Sequence, residues 1–241
     1  FGTVMTRPEY RNQGLARHLM QHAMKTLQDR CDLFYLMGDK HAVGFYRKLG
    51  FEAVAESAFT LRLPAATPQG LEMPGAGRFL QPDRPEDMQV ILDAASMRES
   101  VSLTAGVLDA GYLLGFYAMH GFENRFYWIR RTAEGRDHPP VTAGSRFADT
   151  DWLVVFHEAD GILHLHDVLA TRMPSVRQVL AGLPHGTCHA VSFGFTPDRM
   201  GIAAEDGVLE TEPRVNEDTF FVRSGIGFAT PPFLYPPIGL A

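Results

Sequence analysis

At 241 residues, with 45% hydrophobic and 21% charged side chains, the chain has the composition of a globular protein that buries real cores. Its formal net charge of −6 argues against a nucleic-acid partner held by bulk electrostatics, and no apolar run approaches the roughly 18 residues that cross a bilayer. Cys31 and Cys188 lie far apart and form no Cys-x-x-Cys pair, so they read as reduced thiols of a cytoplasmic protein, with one long-range disulfide as the alternative.

In chain order, residues 2–6 read as the end of a strand, closed by Pro8. Leu15, Leu19, Met20, Ala23, Met24 and Leu27 then recur at helical spacing, which predicts a helix over 13–29 with one apolar face. Between strand and helix lies Tyr10-Arg11-Asn12-Gln13-Gly14-Leu15-Ala16. A strand that turns through such residues into a helix presents unpaired N–H groups and the positive end of the helix dipole, which is an anion site. Gly14 lets backbone approach a ligand, and Ala16 keeps the first turn thin. Arg7, Arg11, Arg17, Lys25 and Arg30 outnumber Glu9 and Asp29 here, a local basic bias that suits a polyanionic ligand or simply a solvated helix face.

Leu33 to Met37 is a continuous apolar run, a strand over 33–38 buried on both faces. A helix over 40–48 follows, with Asp39 as N-cap and Gly50 as terminator, then strands over 51–56 and 59–63. Strands alternating with helices imply parallel pairing. Residues 64–77, rich in Pro, Gly and Ala, read as a linker.

After the linker come a short strand at 78–80, a helix opened by Pro85, and a second helical stretch over about 98–119. Strands are expected at 126–129, 152–156 and 162–169, with Asp160-Gly161 as the hairpin turn between the last two. A short helix over 175–183 and strands at 189–193 and 219–223 complete the reading. Thr171 to Val176 precedes that short helix but has no Gly, and Pro174 removes an N–H, so it lacks an anion loop. The tail Pro231 to Pro237 reads as an extended segment packing Phe233, Leu234 and Tyr235 on a surface, or else as a polyproline ligand.

Two motifs carry a family resemblance. Arg11-x-x-Gly14-x-Ala16 resembles the pyrophosphate-binding motif of the GNAT superfamily of N-acetyltransferases. Asp39-Lys40-His41-Ala42-Val43-Gly44-Phe45-Tyr46-Arg47-Lys48-Leu49-Gly50-Phe51 is similar to the family's Asn-x-x-Ala-x-x-x-Tyr-x-x-Leu-Gly-Phe helix beside the pantetheine arm. The match covers about the first quarter of the chain. It implies an α/β (α+β) fold, a GNAT-type mixed sheet flanked by helices. Two tandem domains are expected: 1–63, the C-terminal half of a GNAT domain whose front portion lies upstream, and 78–241, a second and degenerate GNAT-like domain.

The resemblance implies acetyl-CoA as co-substrate, bound by Met5, Thr6, Arg11, Asn12, Gln13, Gly14, Leu15, Ala16, Asp39 and Phe45. The Met5 and Thr6 backbone would hold the pantetheine and polarise the thioester carbonyl. Tyr46 would protonate the departing thiolate, a phenol with a pKa near ~10 being a donor at neutral pH; its other reading is a packing residue. Asp39 departs from the family's Asn and cannot donate as an amide does. The implied reaction is direct attack of an amine on the thioester in a ternary complex. The acceptor is a small-molecule or peptide amine, with no membrane partner and a homodimer left open. The alternative is a non-catalytic acyl-CoA-binding or scaffold protein.

Other patterns are weaker. His164-Leu165-His166-Asp167 places two histidines on one strand face, but a third ligand at suitable spacing is missing, so no metal is expected. His18 and His41 read as surface helix residues, and Cys188-His189 lacks a triad partner.

Overall fold

The computed structural model describes residues 1–2, 4–64, 76–122, 124–130, 146–215, 218–224 and 231–237. The chain divides into two compact units: Phe1–Glu56 with Pro213–Pro231, and Ser57–Glu212 with Pro232–Gly239. This division does not follow the expected boundaries, because the strand near residue 60 belongs to the second unit and a late strand returns to the first. Most of the expected linker, 65–75, lies outside the described residues.

The first unit holds α1 (Leu15–Leu27), β1 (Leu33–Asp39), α2 (Val43–Arg47), β2 (Glu52–Val54) and the late strand β10 (Asp218–Ser224). Its sheet runs β1-β10-β2, with both pairs antiparallel. β1 and β2 therefore point the same way, as the strand–helix alternation implies, but they are not bonded to each other. β10 takes the central place because Phe220, Phe221 and Val222 are all buried, which only a strand covered on both faces satisfies.

Met20 and Met24 of α1 pack with Leu36, Tyr46, Leu49, Phe51 and Phe221 in one core. Leu15 and Leu19 do not join it; they are 47% and 67% exposed. Residues 2 and 4–6 form no strand, and Thr3 lies outside the described residues. Phe1 nevertheless donates from its nitrogen to Tyr35 O at 2.8 Å and stacks on Phe34, so the segment starts alongside β1.

α2 is shorter than expected. Asp39 Oδ1 accepts from the His41 N–H at 2.7 Å, and Asp39 O accepts from the Ala42 N–H at 2.8 Å. Asp39 thus closes a turn, and Ala42 is the helix N-cap. At the other end Gly50 has φ +83°, and the Phe51 N–H reaches back to Tyr46 O at 3.2 Å, the closure expected of a left-handed glycine after a helix.

The second unit is built on β3 (Ser57–Arg62), β4 (Ala76–Phe79), α3 (Pro85–Met97), α4 (Gly111–Met119), β5 (Phe126–Arg130), β6 (Trp152–Ala159), β7 (Ile162–Leu169), α5 (Val176–Gly182), β8 (Ala190–Phe193) and β9 (Val208–Pro213). Its seven-stranded sheet runs β4-β5-β6-β7-β8-β3-β9. Alternate residues of β6 serve two cores, Val154 and Phe156 on one face, Leu153 and Val155 on the other. The β6–β7 turn has φ +52° at Asp160 and +70° at Gly161, the left-handed pair that Asp-Gly favours. β7 and β8 pair in parallel, from Ile162 against Ala190 to Leu165 against Phe193.

The helix expected over 98–119 forms only from Gly111. Upstream of it, side chains claim the backbone. Arg98 makes two hydrogen bonds to the buried Asp167, at 2.6 and 2.7 Å. Ser102 Oγ accepts the Thr104 and Ala105 N–H groups, and Asp198 accepts those of Leu103 and Thr104. Such side-chain bonds offer the backbone an alternative to the helix. The tail packs: Phe233 and Leu234 are buried, with Ser57 N–H donating to Phe233 O at 2.7 Å and Leu234 N–H to Thr196 Oγ1 at 2.8 Å.

Candidate active site

The loop before α1 is assembled from local bonds. Pro8–Tyr10 is one 3-10 turn; Arg11 Nε donates to Thr6 O at 3.3 Å, and Gln13 Nε2 to Glu9 O at 3.5 Å. Asn12 and Gly14 both have left-handed backbone, φ +62° and +76°. For Asn12 this is tolerable and for Gly14 free of cost, so the chain turns sharply and starts the helix at Leu15. No protein side chain crowds Gly14: a Cβ there would meet only His18 Cε1, at 3.8 Å. The conformation requires it.

The first intrahelical bond of α1 runs from His18 N–H to Gly14 O at 3.0 Å. The N–H groups of Leu15, Ala16 and Arg17 lie ahead of it and have no partner among the described residues. No acidic side chain sits in that first turn. Exposed donors at the positive end of a helix dipole, with Arg17 in the first turn, are suited to an anion.

Tyr46 is buried, 8% exposed, with its ring against Phe45, Phe51 and Phe221 at centroid distances of 5.2, 6.3 and 5.4 Å. Burial pushes its phenol above the ordinary value, which keeps the proton on. Its hydroxyl has no hydrogen-bond partner among the described residues. Gly38 of β1 makes room for the ring: a Cβ there would stand 2.7 Å from Tyr46 Cε2. α1 and α2 share one core through Met20, Met24 and Tyr46.

The other expected site residues divide. Phe45 is half-buried against Tyr46. Thr6 is half-buried with its carbonyl taken by Arg11, and Met5 is 82% exposed. Asp39 is exposed and spends one oxygen on His41 N–H. Asp218 stands opposite Asp39 in the β1–β10 register, which puts a second carboxylate on the same sheet face. Nothing near the two motifs could announce it, since it lies 179 positions further along the chain.

The start of α5 in the second unit contrasts with that of α1. Ser175 N–H donates to Gln178 Oε1 at 2.9 Å, Val176 N–H to Met200 O at 2.7 Å, and Gln178 N–H to Ser175 Oγ at 3.3 Å. Met173 N–H is held by Glu99 Oε1 at 2.5 Å. The capping box and its neighbours consume these donors, leaving little to offer an anion.

Sequence reasoning also missed a third histidine. Across the hairpin His157 stacks on both His164 and His166, with centroids 4.6 and 5.0 Å apart. His166 Nε2 lies 2.8 Å from His157 Nδ1 and 3.4 Å from Arg125 Nη1, so it is the acceptor of the group. Burial, then the charges of His157 and Arg125, pull His166 down to about 3. Near-parallel rings do not aim their lone pairs at one point, and among the described residues no group of three His, Cys, Asp or Glu is arranged to hold a metal. Cys31 and Cys188 are both free, and no described helix is long and apolar enough to cross a membrane.

Residues 1–53 match the family model of the acetyltransferase (GNAT) domain. The resemblance read from the two motifs is borne out: over this stretch the chain is similar in sequence to the GNAT domain. Among solved structures, a conserved protein of unknown function from Enterococcus faecalis, described as a probable N-acyltransferase, aligns at 15% identity with a TM-score of 0.52. The alignment covers 91% of this chain and 52% of that one. A GCN5-related N-acetyltransferase from Kribbella flavida aligns at 17% identity over 92% of this chain and 51% of its own, TM-score 0.46. One from Anabaena variabilis aligns at 16% over 90% and 52%, also with a TM-score of 0.46. No curated protein sequence matches. The chain spans about half the length of these structures. At such identity the Enterococcus likeness speaks for the fold alone, a mixed sheet flanked by helices, as the sequence implied.

Proposed function

We propose that the chain carries the cofactor-binding part of an acetyl-CoA-dependent N-acetyltransferase that moves an acetyl group to a primary amine in the cytoplasm. One observation carries the reading: the start of α1 holds three consecutive N–H groups with no partner among the described residues, behind a left-handed glycine, inside the segment that matches the GNAT domain.

The residues present fit a pyrophosphate. Leu15, Ala16 and Arg17 would donate from the backbone, Gly14 would hold the turn, and Arg11 and Arg17 would add charge. The bound co-substrate supplies a thioester whose carbonyl is open to attack. The protein's part is to fix the two reactants within reach, which lowers the entropic part of the barrier, and to supply a proton. Tyr46, held neutral by burial, would give its hydroxyl proton to the departing sulfur. The acceptor is a small-molecule or peptide amine, and the second unit is read as GNAT-like without a cofactor loop of its own, since the donors around α5 are spent.

A specific observation favours the non-catalytic alternative, an acyl-CoA-binding or scaffold protein: Asp39 replaces an amide with an acceptor-only carboxylate already engaged by His41. Release of free thiol from acetyl-CoA over a panel of primary amines separates the two. The enzyme reading expects thiol release with at least one amine, and a kcat reduced about tenfold or more by Tyr46→Phe with acetyl-CoA binding retained. Binding of acetyl-CoA without thiol release from any amine, and indifference to Tyr46→Phe, sinks it.

A further inference from the structure

At the far end of α1 from the anion loop lies a groove of about 810 Å³, within the size range of small-molecule sites. Its floor is apolar: Met24 and Leu49 are buried and Phe34 is half-buried. Its walls bring in Lys25 from the last turn of α1, Lys48 from the end of α2 and Arg223 from β10. Asp32 is the one acid among the lining residues. Three cations thus converge from three elements, in a chain whose net charge is −6. Folding alone produces this cluster, because Arg223 is 198 positions from Lys25.

None of the three has a carboxylate partner among the described residues. Arg223 spends a donor on Met24 Sδ, at 2.8 Å, and a thioether is a weak acceptor. The guanidinium lies over Gly50, where a Cβ would come within 3.5 Å of its Nε, and opposite Phe34 in the β1–β10 register. A planar fork of donors with only a sulfur to bond, beside two ammonium groups and above apolar side chains, matches an anionic head on an apolar body.

We propose that this groove binds an organic anion, its carboxylate or phosphate head held by Arg223, Lys25 and Lys48 and its apolar body laid on Met24, Phe34 and Leu49. The site is separate from the loop at Gly14: Lys25 is ten residues beyond Leu15, roughly 15 Å along the helix. Lys25 and Lys48 also offset the carbonyls at the C-terminal ends of their helices. Arg223 belongs to a strand and has no such duty, which makes it the deciding residue.

Calorimetric titration of the full chain with sodium decanoate and with decyl phosphate tests the site and tells a carboxylate head from a phosphate one. Saturable binding of at least one is expected, weakened about tenfold by Arg223→Gln, the size of one lost charged hydrogen bond. Lys25→Gln, on an exposed helix position, should weaken it several-fold while leaving the melting temperature in place. Gly14→Val should leave it unchanged, since the loop plays no part. Inorganic phosphate alone should bind at least tenfold more weakly, having no apolar body. The proposal is overturned if neither probe binds saturably, if Arg223→Gln and Lys25→Gln bind as the parent does, or if inorganic phosphate binds as well as decyl phosphate.

Discussion

Lowering the pH protonates histidines in the unfolded chain long before it protonates His166 in the folded one, and the size of that difference follows from its surroundings. His166 is held at about 3 against an ordinary 6.5, because burial, His157 and Arg125 all oppose a second proton. A folded value below the unfolded one means that the contribution to stability is complete above pH 6.5 and is lost as the pH falls from there toward 3. Its full extent is about 5 kcal/mol, at ~1.36 kcal/mol per pH unit. At pH 5 the part already lost is about 2 kcal/mol. The perturbation is His166→Gln, which cannot titrate. The assay is urea unfolding at pH 7.5 and pH 5.0, followed by tryptophan fluorescence. Trp128 and Trp152 are the two tryptophans and both lie in the second unit, so the signal reports that unit. The parent should lose about 2 kcal/mol more than the variant over this interval. Other acid-sensitive groups, including Asp87 with its carboxyl held down by Arg78, are common to both proteins and cancel. Equal losses in parent and variant refute the assignment.

Three further outcomes are expected. Gly14→Val places a β-branched residue at φ +76°, so binding of coenzyme A should weaken tenfold or more, with only about 1–2 kcal/mol lost in unfolding free energy; unchanged affinity by calorimetry counts against the cradle. Gly38→Ala brings a Cβ to 2.7 Å from the Tyr46 ring and should lower stability by about 1–3 kcal/mol while cutting thiol release, read by thermal melting and turnover together. Arg98→Met leaves Asp167 buried without its partner and should cost about 3–5 kcal/mol in urea unfolding, and more than Arg177→Met, whose ion pair with Asp206 involves a half-exposed guanidinium.

Features carried by neighbouring residues were legible in the sequence. Gly50 as a helix terminator, the Asp160-Gly161 turn and the body of α1 each follow from a handful of adjacent side chains, whereas the left-handed backbone of Gly14 was not foreseen. What escaped depends on residues distant along the chain. The insertion of β10 between β1 and β2 is decided by the burial of Phe221 against a core whose other members lie in the first 51 residues. His157 meets His166 only because a hairpin folds and the register shifts opposite Val155 and Phe156, leaving His166 of β7 as the extra residue between Leu165 and Asp167. The region 98–110 has helical composition, yet Asp167 and Asp198, some seventy and ninety residues later, draw it into a loop. In the candidate site the cradle was visible as a motif, whereas Asp218 opposite Asp39 could not be, because no local pattern encodes a cross-strand neighbour.

The exchange of strands between the units has a consequence for synthesis. β3 leaves the first unit to pair with β8, and β10 comes back to fill the middle of the β1–β2 sheet. During translation α1 emerges ahead of β10, and the first unit's sheet lacks its central strand until some two hundred more residues have followed. The second unit has its strands β3 to β9 by then, while its tail segment with Phe233 and Leu234 follows β10. Ribosome-bound chains stalled before β10 should therefore form the tryptophan-containing sheet before the β1–β10–β2 sheet. A chain halted before β10 would hold β1 and β2 with the place between them unfilled.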